Sequence, residues 1–105
     1  AEPHGIAQMT KASQKRLALK ALLRQYPGTS GKAQCQRIRA ALSLFSITTF
    51  EAMRFLDCYD PRARVMQLRN QGERIDTHWQ VVLTEAGIKH RVGVYTLRPG
   101  TDTQP

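Results

Sequence analysis

Apolar positions recur at helical spacing over the first part of the chain and alternate with polar ones over the last third, so the sequence predicts helices followed by a hairpin. Over residues 10–26, Ala12, Leu19, Leu22, Leu23 and Tyr26 fall on one face, and Pro27-Gly28 ends the run. Residues 27–31 read as a linker, with Ser30 placed to cap a helix over residues 32–44. Cys35, Ile38, Ala41, Leu42 and Phe45 form its apolar side, and Arg37 and Arg39 are expected to point outward into solvent. Ile47 is a short extended link. Thr48 and Glu51 then stand in capping-box spacing and open a helix that runs to about Leu56, burying Ala52, Leu56 and one of Phe50 and Met53.

The next helix has both ends written into it. Asp60 is an N-cap, Pro61 takes the first helical position where its missing N–H costs nothing, and Gly72 suits a left-handed residue just past the end. At 100° per residue, Pro61, Val65 and Leu68 share a narrow stripe that can dock on a core. Ala63, Met66, Gln67 and Asn70 point the other way, flanked by Arg62, Arg64 and Arg69. No acidic residue lies between Pro61 and Gln71, so the outer face is amide and guanidinium only.

After Gly72 the period changes. Ile75, Thr77, Trp79 and Val81 alternate with Asp76, His78 and Gln80, residues 88–97 are rich in β-branched and aromatic side chains, and residues 84–87 form the turn between them. Trp79 and Tyr95 read as core residues of this hairpin. Lys89, His90 and Arg91 begin its second arm.

Charge sharpens the picture. The chain of 105 residues carries 16 Lys and Arg against 8 Asp and Glu, a net +8, which favours a polyanionic partner and nucleic acid first. Lys11, Lys15, Arg16, Lys20 and Arg24 make the first helix a basic element, with Arg16, Lys20 and Arg24 on one stripe. Four roles are open to it: packing on the domain, joining two copies as a homodimer, gripping DNA phosphates, or lying on a membrane surface. The last is disfavoured because its apolar face has no Trp or Phe. Cys35 and Cys58 are the only two cysteines, sit in helix-like surroundings and lack metal spacing, so a zinc site with His78 and His90 is not expected and a reducing compartment is. No stretch approaches the roughly 18 apolar residues of a membrane span, and no signal-peptide core is evident. The expected setting is the cytoplasm, nucleoid-associated when bound. No cofactor, metal or small-molecule ligand is implied, and the scattered His and acids form no nucleophile–base pair, so the protein is not expected to be an enzyme.

The order helix, short strand, helix, turn, cationic helix, hairpin resembles a winged helix-turn-helix domain. Thr48-Thr49-Phe50-Glu51-Ala52, then Pro61-Arg62-Ala63-Arg64-Val65 with Leu68-Arg69 and Gly72, then Ile75, and finally His90-Arg91-Val92 with Tyr95 and Leu97, carry a resemblance to a small group of such domains in bacteria, phages and mobile elements. The match spans residues 31–97. The turn at residues 57–60 lacks the Gly often found between the two helices, and Gln67 stands where an acidic residue is expected. The resemblance implies an α+β fold, a three-helix winged helix-turn-helix with a C-terminal hairpin wing and an extra N-terminal helix. The chain divides into a disordered tail at 1–9, a basic amphipathic helix at 10–26, the winged domain at 30–98 and a second tail at 99–105.

The function expected is sequence-specific binding of double-stranded DNA by a transcriptional regulator of a bacterial, phage or plasmid element, with residues 61–71 in the major groove and 74–97 as wing. Gln67 and Asn70 can pair both polar groups of adenine, and Arg62 can reach guanine or a phosphate. Arg64, Arg69, Lys89, His90 and Arg91 are expected on phosphates. The alternative is a protein-interaction module that uses the winged fold and the N-terminal helix. Single-stranded or structured RNA is set aside because it calls for exposed aromatic rings for stacking, and Trp79 and Tyr95 lie in the hairpin and read as core.

Overall fold

The computed structural model describes residues 10–99. The tails expected at 1–9 and 99–105 lie outside the described residues, apart from Pro99. Four helices and three strands follow in the order α1 (Lys11–Gln25), α2 (Gly31–Leu42), β1 (Ile47–Thr48), α3 (Thr49–Phe55), α4 (Pro61–Asn70), β2 (Ile75–Leu83) and β3 (Lys89–Leu97). The strands form one antiparallel sheet in the order β1-β3-β2, with Tyr95 of β3 between Ile47 and Thr77. This is the α+β winged arrangement with an added N-terminal helix.

Each helix starts where its sequence says it should. Thr10 and Ser30 cap α1 and α2 by accepting from the N–H groups of Ser13 and Ala33. Thr48 and Glu51 complete a reciprocal capping box at α3, at 2.9 Å in both directions. Asp60 caps α4 ahead of Pro61. Its far end closes with two bonds, Gly72 N–H to the Arg69 carbonyl and Glu73 N–H to that of Leu68, made possible by Gly72 at φ +102°.

One core joins all the helices to the base of the sheet. It comprises Leu19 and Leu22 of α1, Cys35, Ile38, Ala41 and Leu42 of α2, Ile47, Ala52, Leu56 and Cys58, Val65 and Leu68 of α4, and Ile75 and Tyr95 of the sheet. Leu19 has no exposed surface at all, so α1 packs on the domain as a full contributor to its core. Lys15 holds it there by donating to the Ser46 carbonyl at 2.7 Å and pairing with Glu51 at 3.0 Å. Ala12, read as part of the apolar face, is exposed.

Four expectations are corrected. Arg37 is not outward: it is 1% exposed, the only buried charged residue among those described, and it donates to the carbonyls of Leu56 (2.8 Å), Tyr26 (2.7 Å) and Gly28 (2.9 Å). Arg39 is half-buried and pairs with Glu73 at 2.9 Å. Neither Phe50 nor Met53 enters the core, because the seven-residue α3 buries only Ala52 and packs Phe55 against the core's edge. Trp79 stands 63% exposed, because the hairpin runs past the edge of the helical layer and leaves only its base covered. The turn without glycine is accommodated by Asp57 itself, which adopts the left-handed conformation at φ +52° that aspartate tolerates better than most residues.

Candidate nucleic-acid interface

Helix α4 buries Pro61, Val65 and Leu68, the stripe its sequence marks out, and so turns the arc from Met66 through Asn70 and Ala63 to Gln67 away from the core. Asn70 points almost directly opposite that stripe and is exposed. The arginines separate onto two flanks. Arg62 and Arg69 lie toward the wing, and Arg64 lies toward α2.

The flank arginines are held in different ways. Arg69 donates twice to the Ile75 carbonyl, at 2.9 and 2.6 Å, and once to the Thr77 hydroxyl at 3.0 Å. Its guanidinium thus fastens α4 to the root of the wing. Arg64 is half-buried, with its guanidinium against Gly31 at the start of α2, where any side chain at position 31 would collide with its Nη1. Its Nε is buried with no hydrogen-bond partner among the described residues. Arg62 is exposed.

Gln67 sits on the α2 side of the arc. Its Oε1 accepts from the Cys35 thiol at 3.4 Å, so the side chain is steadied while it remains exposed. Burial pushes the Cys35 and Cys58 thiols above their ordinary range, against an opposing pull from the positive charge of Arg64. Both cysteines are free, and no three metal-binding side chains come together among the described residues. Among the described residues, no helix is long and apolar enough to cross a membrane.

Register sorts the wing residues onto faces. Trp79 pairs with Gly93, Val81 with Arg91 and Leu83 with Lys89, so these share one face, whereas His90 pairs with Val82 on the other. Of the three residues expected to act together, Lys89 and Arg91 do and His90 is turned away. The Arg91 guanidinium lies over the Trp79 ring, 4.8 Å from its centroid. At the wing root, Arg98 grips Asp76 through both carboxylate oxygens at 3.0 Å, and that hydrogen bond holds the Asp76 carboxyl below its ordinary range.

Between α4 and the wing lies a cleft of about 690 Å³. Arg62, Met66 and Arg69 form one wall, Thr77, Trp79 and Arg91 the other, and Met53 and Tyr59 close one end. Sequence reasoning placed the arginines here and missed the rings. The signal that could have found Trp79 is the register, which puts it diagonal to Arg91 on a face where cations replace core partners.

Comparison with curated proteins and with solved structures finds no match. A family model, that of the winged helix-turn-helix domain, matches residues 33–99, from the first turn of α2 to beyond the end of β3. That span covers well over half the chain and contains every element of the interface just described, so the chain belongs to the winged helix-turn-helix family, a family of DNA-binding domains.

Proposed function

We propose that this protein is a sequence-specific binder of double-stranded DNA, acting as a transcriptional regulator of a bacterial, phage or plasmid element. One observation carries the reading: the outer arc of α4 offers Gln67 and Asn70 between arginine flanks, with no carboxylate on the helix to oppose a phosphate. In this arrangement α4 enters the major groove, Gln67 and Asn70 meet adenine edges, and Arg62 reaches guanine or the backbone. The cleft straddles one phosphodiester strand, so that Arg69 on the α4 wall and Arg91 and Lys89 on the wing face phosphates. Arg64, beside the first turn of α2, meets the opposite strand, and His90 contributes only where the backbone curls around the wing tip.

A single winged domain has a small footprint, so two copies on a repeated or palindromic site supply the affinity. The stripe Leu17, Ala18 and Ala21 of α1, beside Phe45, is an apolar surface on which they can meet. The same stripe favours the second reading, a module that docks a protein partner. Neither reading involves catalysis.

Duplex binding measured across a salt series separates the two. With about six to eight phosphate contacts the log–log slope is near −5 to −7, at about −0.9 per contact. A flat or absent response favours the protein partner. Selection of bound fragments from random DNA then identifies the site, and a selected pool with no common sequence overturns the claim of specificity.

A further inference from the structure

We propose that the cleft between α4 and the wing also binds unpaired DNA, with Tyr59 and Trp79 as platforms on which bases stack. The proposal rests on the exposed rings and not on the reading of duplex DNA given above, so each can fail alone.

Tyr59, in the turn between α3 and α4, is 77% exposed, and Trp79, on β2, is 63% exposed. Both line the same cleft, which the arginines 62, 69 and 91 make cationic against the single carboxylate of Asp60. Aromatic surface left to water at two rims of one cleft is a feature that folding alone does not account for. In a duplex the base faces are covered by their neighbours, so such rings find only edges and sugars there. An unpaired strand presents both a polyanionic backbone and free π-faces, the two things this cleft is built to meet.

The Trp79 platform is held in place before any ligand arrives. Gly93 stands opposite it on β3, and a Cβ there would sit 3.8 Å from the ring's Cζ3, in ordinary contact, so the edge of the indole rests beside the glycine. Arg91 at 4.8 Å adds a cation that can serve ring and phosphate together. Val81 and Leu83 continue the same exposed face toward the tip, each about 7 Å further along the strand, giving an apolar track beyond the ring.

Trp79 is the only tryptophan in the chain, so its emission reports on this cleft alone. Titration with an oligothymidylate about twelve nucleotides long should quench it saturably, with a midpoint that rises with salt. By anisotropy of the fluorescein-labelled oligomer, Tyr59→Ala and Trp79→Ala should each bind about tenfold more weakly, or ~1.4 kcal/mol, and Trp79→Phe should recover most of the loss. Gln25→Ala, on α1 and outside the cleft, should leave oligothymidylate binding unchanged. Absence of saturable quenching, or alanine variants that keep the wild-type circular dichroism and bind the oligomer as the parent does, overturns the proposal. A selected duplex titrated in the same buffer reports separately on double-strand binding.

Discussion

Arg37 on α2 donates from Nε to the carbonyl of Leu56, the residue that caps the C-terminal end of α3, at 2.8 Å. Its Nη1 serves the carbonyls of Tyr26, the C-cap of α1, and Gly28. One guanidinium therefore answers the orphan carbonyls at the ends of two helices, where the partial negative charge of the helix dipole also favours a cation. Arg37→Met keeps the apolar stem but strands the buried Leu56 carbonyl and the part-buried carbonyls of Tyr26 and Gly28, and should lower stability by about 3 kcal/mol. Urea denaturation should show a lower midpoint at an unchanged m-value. A midpoint within experimental error of the parent would mean that water replaces the guanidinium at no cost.

The two turns that flank α4 respond to substitution in opposite directions. Asp57 holds φ +52° with a side chain, so Asp57→Gly should raise stability by about 0.5 kcal/mol once the greater freedom of the unfolded glycine is counted. Gly72 at φ +102° closes the helix, so Gly72→Ala should lower it by about 1 kcal/mol or more. Thermal melting of both variants checks the pair of signs.

Base reading and backbone gripping separate by mutation. Gln67→Ala and Asn70→Ala should each relax preference at one base pair and cost about 1–3 kcal/mol on the selected site, with little effect on unrelated duplex. Arg91→Ala should weaken all sequences alike and make the salt slope shallower by about 0.9. Competition binding against a panel of single-base variants reads both effects, and an unchanged preference in both amide variants removes Gln67 and Asn70 from the reading face.

Alkali should loosen this fold. Burial raises the thiols of Cys35 and Cys58 above 9.0 and the Tyr95 hydroxyl above 10.0. Each group is a neutral acid whose folded pKa exceeds its unfolded one. Its contribution is fully present below the unfolded value and is lost as pH rises through the folded value. Urea midpoints should therefore be level from neutrality to about pH 8.5 and fall beyond it, with Cys58→Ala flattening the first part of the fall.

The helices were legible because their signals are local. Thr48 and Glu51, Asp60 and Pro61, and Gly72 mark ends through bonds that span three to five residues, and the stripe Pro61, Val65, Leu68 marks a buried face through period alone. Arg37 was misread because its partners lie 9, 11 and 19 residues away and are carbonyls, which leave no trace in side-chain patterning. Trp79 was misread because alternation tells which face of a strand is apolar without telling how far the covering layer extends. Ile75 and Trp79 share that face, yet only Ile75 reaches the core. Within the interface, the arginines could be placed on α4 from the sequence, but the attachment of Arg69 to Ile75 depends on a contact between two elements.

That attachment has a consequence for association. Because Arg69 clamps the main chain at the root of β2, α4 and the hairpin are already set at a fixed stance when they meet a polymer, and little conformational freedom remains to be surrendered on docking. Such a gauge tolerates one groove geometry and penalises others, so loosening it with Arg69→Met should slow recognition of the correct target more than it weakens incidental sticking.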